Sequence, residues 1–187
     1  KRMPWRNIQV IAGKDLNNLQ ALSNAELLIA QGDATTNYQD LRFNNTRYFL
    51  WLSPSNLTSL NIGQANRLQT LSIKNASKLK FINTQHRVKK LLLDAPASLR
   101  QIEGRIELLK ISNYHAPREL HLFHLIDVAE FSYCHFTKLN APLVQKLTFK
   151  GCNKLEKMHL YPRCWPSYVG FAPYDDPEIA VAVVLFQ

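Results

Sequence analysis

His121, His124, Cys134 and His135 stand close together in this 187-residue chain, and their side chains are of the types that bind zinc. Zinc requires four nitrogen or sulfur donors converging as a tetrahedron. His121-x-x-His124 has a usable spacing, but no C-x-x-C pair completes a set, and Cys134 falls where the chain is expected to turn inward. Surface histidines and a buried thiol account for the group, so no metal site is expected. Catalytic patterns are missing as well. There is no G-x-S-x-G, no P-loop, no G-x-G-x-x-G, no H-E-x-x-H and no nucleophilic-cysteine signature. The six glycines leave little for loops that cradle phosphate. Asp175-Asp176 precedes Pro177 and reads as a turn. No catalytic residue and no cofactor are expected. What the chain does offer is charge: 23 Lys and Arg against 14 Asp and Glu, a formal +9.

The elements that carry these residues follow from the hydrophobic pattern. At 46% hydrophobic and 20% charged residues, the chain has enough apolar content for a folded core. No run of 18 apolar residues suggests a membrane-spanning helix. No charged segment leads into an apolar one near Lys1, so no signal peptide is expected. The start without Met suggests a processed or partial chain, and the closing Val184-Leu185-Phe186-Gln187 matches the residues left by a picornaviral protease tag site. Three cysteines are too few for a disulfide scaffold. The triplets starting at Asn44, Asn56 and Asn75 fit the glycosylation pattern but carry little weight without a leader.

The apolar residues recur at about twenty positions, not at the helical 3.6. The cleanest stretch runs LTSLNIGQANR, LQTLSIKNASK, LKFINTQHR. One register places strand openings at Ile8, Leu27, Thr46, Leu68, Val88, Ile106, Ile126 and Val144, in steps of 19, 19, 22, 20, 18, 20 and 18. Inward positions follow at Ile11, Ala30, Phe49, Leu71, Leu91, Leu109, Ala129 and Leu147. A second inward set is Gly13, Gly32, Trp51, Ile73, Leu93, Ile111, Phe131 and Phe149. A further anchor follows on each return at Leu19, Tyr38, Leu57, Leu79, Leu99, Leu120, Leu139 and Leu155. Before Leu57 the frames Trp5-x-x-Ile8-x-Val10 and Tyr38-x-x-Leu41-x-Phe43 fit equally well. One such coil cannot bury its own apolar face, but stacked coils bury a shared one. The fold class expected is a repeat solenoid with a parallel β-ladder, short extended or 3-10 returns and little regular helix.

LQTLSIKNASKL, VKKLLLDAPASL and VQKLTFKGCNKL make the chain resemble the leucine-rich repeat family, with short repeats of the bacterial type. The resemblance covers Ile8 to Leu160. The family's ninth position holds Asn, Cys or Thr. Here it reads Leu16, Thr35, Pro54, Ala76, Pro96, Tyr114, Cys134 and Cys152, so only three of eight conform. Residues 1–160 are expected to form about eight coils and residues 161–187, rich in Pro and aromatics, a C-terminal cap. Stacking would bring Cys134 and Cys152 within disulfide range, though two reduced thiols filling the Asn slot are the favoured reading, with Cys164 free.

Strand alternation turns positions three, five and seven outward. The concave face so defined would bind a ligand through Tyr48, Leu50, Lys74, Lys90, Leu92, Leu108, Lys110, Val128, Glu130, Lys146 and Lys150. The resemblance implies a non-enzymatic module for protein recognition on that face, with an acidic protein as the partner the lysines would steer. It also implies a role as the targeting part of a larger secreted bacterial effector or surface protein. A polyanion binder, touching RNA, DNA or acidic lipid, is the second reading, weakened by sparse stacking aromatics. A third is a fragment of an enzyme whose catalytic domain lies outside this chain. The compartment stays open between the cytoplasm and secretion into a host cell.

Overall fold

A computed structural model describes residues 6–17, 24–63, 65, 67–116 and 118–160, together with the backbone of 167–171. The strands are β1 (Ile8–Ala12), β2 (Leu27–Gln31), β3 (Tyr38–Asp40), β4 (Tyr48–Leu52), β5 (Ser59–Asn61), β6 (Thr70–Lys74) and β7 (Phe81–Asp94). They continue as β8 (Gln101–Ser112), β9 (Glu119–Phe123), β10 (Ile126–Ser132), β11 (Lys138–Asn140), β12 (Val144–Lys150), β13 (Lys157–His159) and β14 (Ser167–Phe171). The helical piece among the described residues is a 3-10 turn at Gly13–Asn17.

The main ladder runs β1-β2-β4-β6-β7-β8-β10-β12-β14, and every pairing in it is parallel. The returns are extended and pair with one another, giving a second parallel ladder through β3, β5, β7, β8, β9, β11 and β13. The described residues thus form a β-solenoid of about seven turns with almost no helix. This is the architecture that the twenty-residue periodicity predicts. In β7 and β8 the chain passes from one ladder to the other as a continuous strand.

The core lies between the ladders. Phe49, Trp51, Leu71, Ile73, Leu91, Leu93, Leu109, Ile111, Ala129, Phe131 and Leu147 point into it from the main ladder. Leu60, Ile82, Ile102, Leu122 and Leu139 meet them from the second. Aromatic contacts thread the stack: Phe43 meets Phe49 edge-on at 5.3 Å, and Phe131 meets Phe136 at 5.1 Å. The return anchors Leu57, Leu79, Leu99, Leu120 and Leu139 are buried, whereas Tyr38 is exposed and Leu19 lies outside the described residues.

The register before Leu57 differs from the expected one. Leu27 pairs with Tyr48, so the second step is 21 residues and not 19. Ala30 therefore stacks on Trp51, and Leu28 on Phe49. The opening column of the second coil is held by buried Ala25, whose carbonyl accepts a 2.9 Å hydrogen bond from Thr46 Oγ1. A two-residue slip keeps strand parity, so Ala30 stays inward and Leu28 joins it, while Gly32, expected inward, moves to the corner and Leu27, expected to open the strand, moves to the outer face. The frame beginning at Trp5 would bury Ile8 and Val10, but these are 47% and 67% exposed.

One feature of the corners is absent from the leucine pattern. Immediately after each main-ladder strand from β2 to β12, Gly32, Ser53, Asn75, Ala95, Asn113, Tyr133 and Gly151 all have φ between +53° and +81°. Each of the first six donates its N–H to the last strand carbonyl of the next coil, at 2.7–3.0 Å. The ladder thus extends one residue past the strands while the chain swings away. The column that follows is Asp33, Pro54, Ala76, Pro96, Tyr114, Cys134 and Cys152, with Asp33 where the sequence register put Thr35. It points inward except at Asp33, which is exposed and accepts from Ser55 Oγ and Asn56 N at 2.8 Å. Tyr114 performs the polar role expected of Asn, its hydroxyl donating to Leu99 O at 2.7 Å. Burial pushes its pKa up to about 12, so the phenol remains a donor.

Of the expected cap, the backbone of β14 continues the main ladder, with Ser167 opposite Lys146. The other cap residues, including Cys164, Asp175 and Asp176, lie outside the described residues.

Candidate interaction face

On the main ladder the residues between the buried ones form three parallel rows on the outer face. The first is Ile8, Leu27, Tyr48, Thr70, Lys90, Leu108, Val128 and Lys146. The second is Val10, Ile29, Leu50, Ser72, Leu92, Lys110, Glu130 and Thr148. The third is Ala12, Gln31, Leu52, Lys74, Asp94, Ser112, Ser132 and Lys150. All eleven residues named from the sequence fall in these rows, and each is half-buried or exposed. In a parallel ladder, neighbours along a row are about 4.8 Å apart, so each row is a continuous strip of side chains.

The strips are not uniform. Ile8, Val10, Leu27, Ile29, Tyr48, Leu50 and Leu52 make the face of the first three strands almost wholly apolar. The alternation rule assigns Ile8, Val10, Leu27 and Ile29 to this face once the first two strands are placed in register. The outer positions expected from the sequence start at Tyr48 and leave these four out. Beyond β4 the face becomes mixed, with Leu92, Leu108 and Val128 set among charges.

The charges differ in availability. Lys110 Nζ lies 2.7 Å from Glu130 Oε2, so these two candidates largely neutralise one another. Lys150 Nζ stands 5.6 Å from the centre of the Tyr133 ring, a cation–π geometry. Lys74, Lys90 and Lys146 are exposed and supply the positive field of the face. Asp94 is tied down, accepting from Ser112 Oγ at 2.9 Å and from Asn113 Nδ2 at 2.7 Å.

The thiols and imidazoles lie elsewhere. Cys134 and Cys152 both follow the left-handed residue of their coil, two places beyond the paired Ser132 and Lys150. Both are free thiols, Cys134 buried and Cys152 half-buried. Cys134 Sγ donates to Ile111 O at 3.4 Å and Cys152 Sγ to Lys150 O at 3.6 Å. The neighbouring Cys134 thiol lowers the Cys152 pKa to about 7, against the opposing effect of burial. The proximity of Cys152, helped by burial, pushes Cys134 far above the ordinary thiol range. His121 Nδ1 is 3.2 Å from Asn140 Nδ2, His124 sits near Glu103, and His135 packs edge-on against His115 at 4.8 Å. Among the described residues no three His, Cys, Asp or Glu side chains converge as a metal site. No helix among them is long and apolar enough to cross a membrane. Of the three glycosylation triplets, Asn56 is engaged through its Nδ2 to Ala34 O at 2.7 Å.

Comparison with known protein families, with curated proteins and with solved structures found no match to this chain.

Proposed function

We propose that the chain is a non-enzymatic interaction module of leucine-rich-repeat type that holds a protein partner against the outer face of its main ladder. The observation that carries this reading is the apolar area from Ile8 to Leu52, which passes directly into a lysine-bearing area on the same rigid sheet. A solvated sheet face is ordinarily polar, and a contiguous apolar area rimmed by charge is the composition of a recognition surface. Parallel pairing on both sides fixes the side chains before binding, which lowers the ordering cost of association. Lys74, Lys90 and Lys146 favour an acidic partner and speed its encounter. The resemblance to bacterial repeats supports a further part of the proposal, that the module is the targeting portion of a larger secreted effector or surface protein.

The test compares wild-type protein with Leu50→Asp and with Lys90→Glu/Lys146→Glu in pull-downs from extract at two salt concentrations. Leu50→Asp is expected to weaken a protein partner at least about tenfold. The double charge reversal should mainly slow association, and less so at high salt. Recovery of the same proteins by all three, or of nucleic acid alone, would sink the reading.

A further inference from the structure

A second surface lies at the edge of the main ladder, where the chain enters strands β4 and β6 and where β7 and β8 pass from the second ladder into the main one. Arg47, Arg67, Leu68, Gln69, Arg87, Lys89 and Glu107 line an open cleft of about 440 Å³ there. The register explains the clustering. Thr70 pairs with Lys90, so Arg67 and Arg87, each three places earlier, belong to adjacent coils. Tyr48 pairs with Thr70, which sets Arg47 beside Gln69, and Gln69 is followed in turn by Lys89. Four cations therefore meet around a floor formed by the buried Leu68, with Glu107 the carboxylate among the lining residues.

Neighbouring like charges on a ladder destabilise it. Here the compensation is incomplete. Glu107 Oε1 takes Arg87 Nε at 2.8 Å, and Glu26 lies 3.7 Å from Arg47 on the outer flank. Arg67 donates to a neutral acceptor, Asn45 Oδ1, at 3.3 Å. Among the described residues Lys89 has no carboxylate within 4.0 Å. The Arg87 contact uses Nε, leaving the terminal nitrogens of that guanidinium available. Positive charge is concentrated, with donors in planar forks and a side amide at Gln69. That is the chemistry of tetrahedral oxyanion recognition.

We infer that this cleft binds a phosphate or sulfate monoester, whose oxyanion sits among Arg67, Arg87 and Lys89 and whose remaining group lies along the open side toward Arg47. The cleft is larger than an inorganic anion, so the natural ligand carries the oxyanion on a bulkier body. This inference does not rest on the proposed protein-binding face, because none of its residues belongs to the three outer rows.

The probes are inorganic phosphate, phosphoserine, inorganic sulfate and a sulfated disaccharide. Each is titrated at constant ionic strength into the full chain and followed by amide chemical shifts and calorimetry. The phosphate and sulfate arms identify the source of the oxyanion. Saturable binding with shifts clustered at residues 47, 67, 69, 87 and 89 is expected from at least one arm. Arg67→Gln/Arg87→Gln should weaken it at least about tenfold. Lys146→Gln/Lys150→Gln removes the same charge elsewhere and should change it less than about twofold. Equal weakening by both double variants would mean unspecific charge attraction and overturn the site. So would an absence of saturable binding in every arm. Should Arg67→Gln/Arg87→Gln unfold, Lys89→Gln on its exposed side chain gives the same reading, with no loss of affinity as the refuting result.

Discussion

At the residue scale, the thiols give a sharp expectation. Free cysteine has a pKa near 8.5, whereas the neighbouring Cys134 thiol lowers Cys152 to about 7. Near neutral pH, Cys152 should therefore be alkylated by iodoacetamide several-fold faster than a cysteine in an unfolded peptide, and Cys134 should remain inert. The same shift has a consequence for stability. A depressed folded pKa stabilises the fold above the unfolded value, and that contribution is lost as pH falls through the folded value. Cys134 is shifted the other way, so its contribution is complete below the ordinary thiol pKa and lost above it. Between pH about 7 and 8.5 the slope thus belongs to Cys152. Wild-type stability should rise with pH across that window relative to Cys152→Ser in urea titrations. Parallel curves for the two proteins would show that Cys152 is not acidified by its neighbour. The cysteines' stacking was legible because both sit in one column of the repeat. Their unequal acidities were not, since these depend on which thiol the neighbouring coil covers.

At the element scale, the corner is the instructive unit. Ala95 occupies a left-handed conformation, with φ of 53°, that an L side chain adopts at a cost. Gly occupies the same place at position 32 and at position 151. Ala95→Gly should stabilise the protein by about 0.5–1 kcal/mol, the steric relief exceeding the added chain entropy. A lower urea midpoint would show that the corner is not strained. Parts of this element could be read from the chain and parts could not. Leu71, Ile73, Leu91, Leu93, Leu109 and Ile111 announce two inward positions per strand by their spacing, and the structure places them there. The corner column contains Gly, Ser, Asn, Ala and Tyr, so composition gave no sign that one backbone conformation repeats through it. The early register was obscured for a related reason. Leu27, Leu28, Ile29 and Ala30 are all apolar, and a run without alternation fits two frames separated by two residues. The arginine cleft was hidden because its charged members flank the strand openings, at positions that the leucine pattern leaves unspecified.

At the scale of the whole molecule, stability is a property of neighbours. Each coil touches the coil before and the coil after, so the fold behaves as a one-dimensional stack. Amide exchange should accordingly be slowest in β6, β7 and β8, in the middle of the stack, and fastest in β1, which among the described strands pairs with β2 alone. Uniform protection from β1 to β12 would indicate a single cooperative unit. The two ladders advance by different amounts where they share continuous strands. Phe81 pairs with Gln101, twenty residues on, while Val88 pairs with Ile106, eighteen residues on. The surplus is taken up between Thr84 and Val88, beside Gly104, whose φ of +134° and close approach to the Thr84 carbonyl leave no space for a side chain. Both sheets keep their pairing across this seam although the chain lengths on its two sides disagree. The bend therefore works as an expansion joint: foreign sequence let in near Gln85 and His86 would bulge outward and leave the rungs above and below in step.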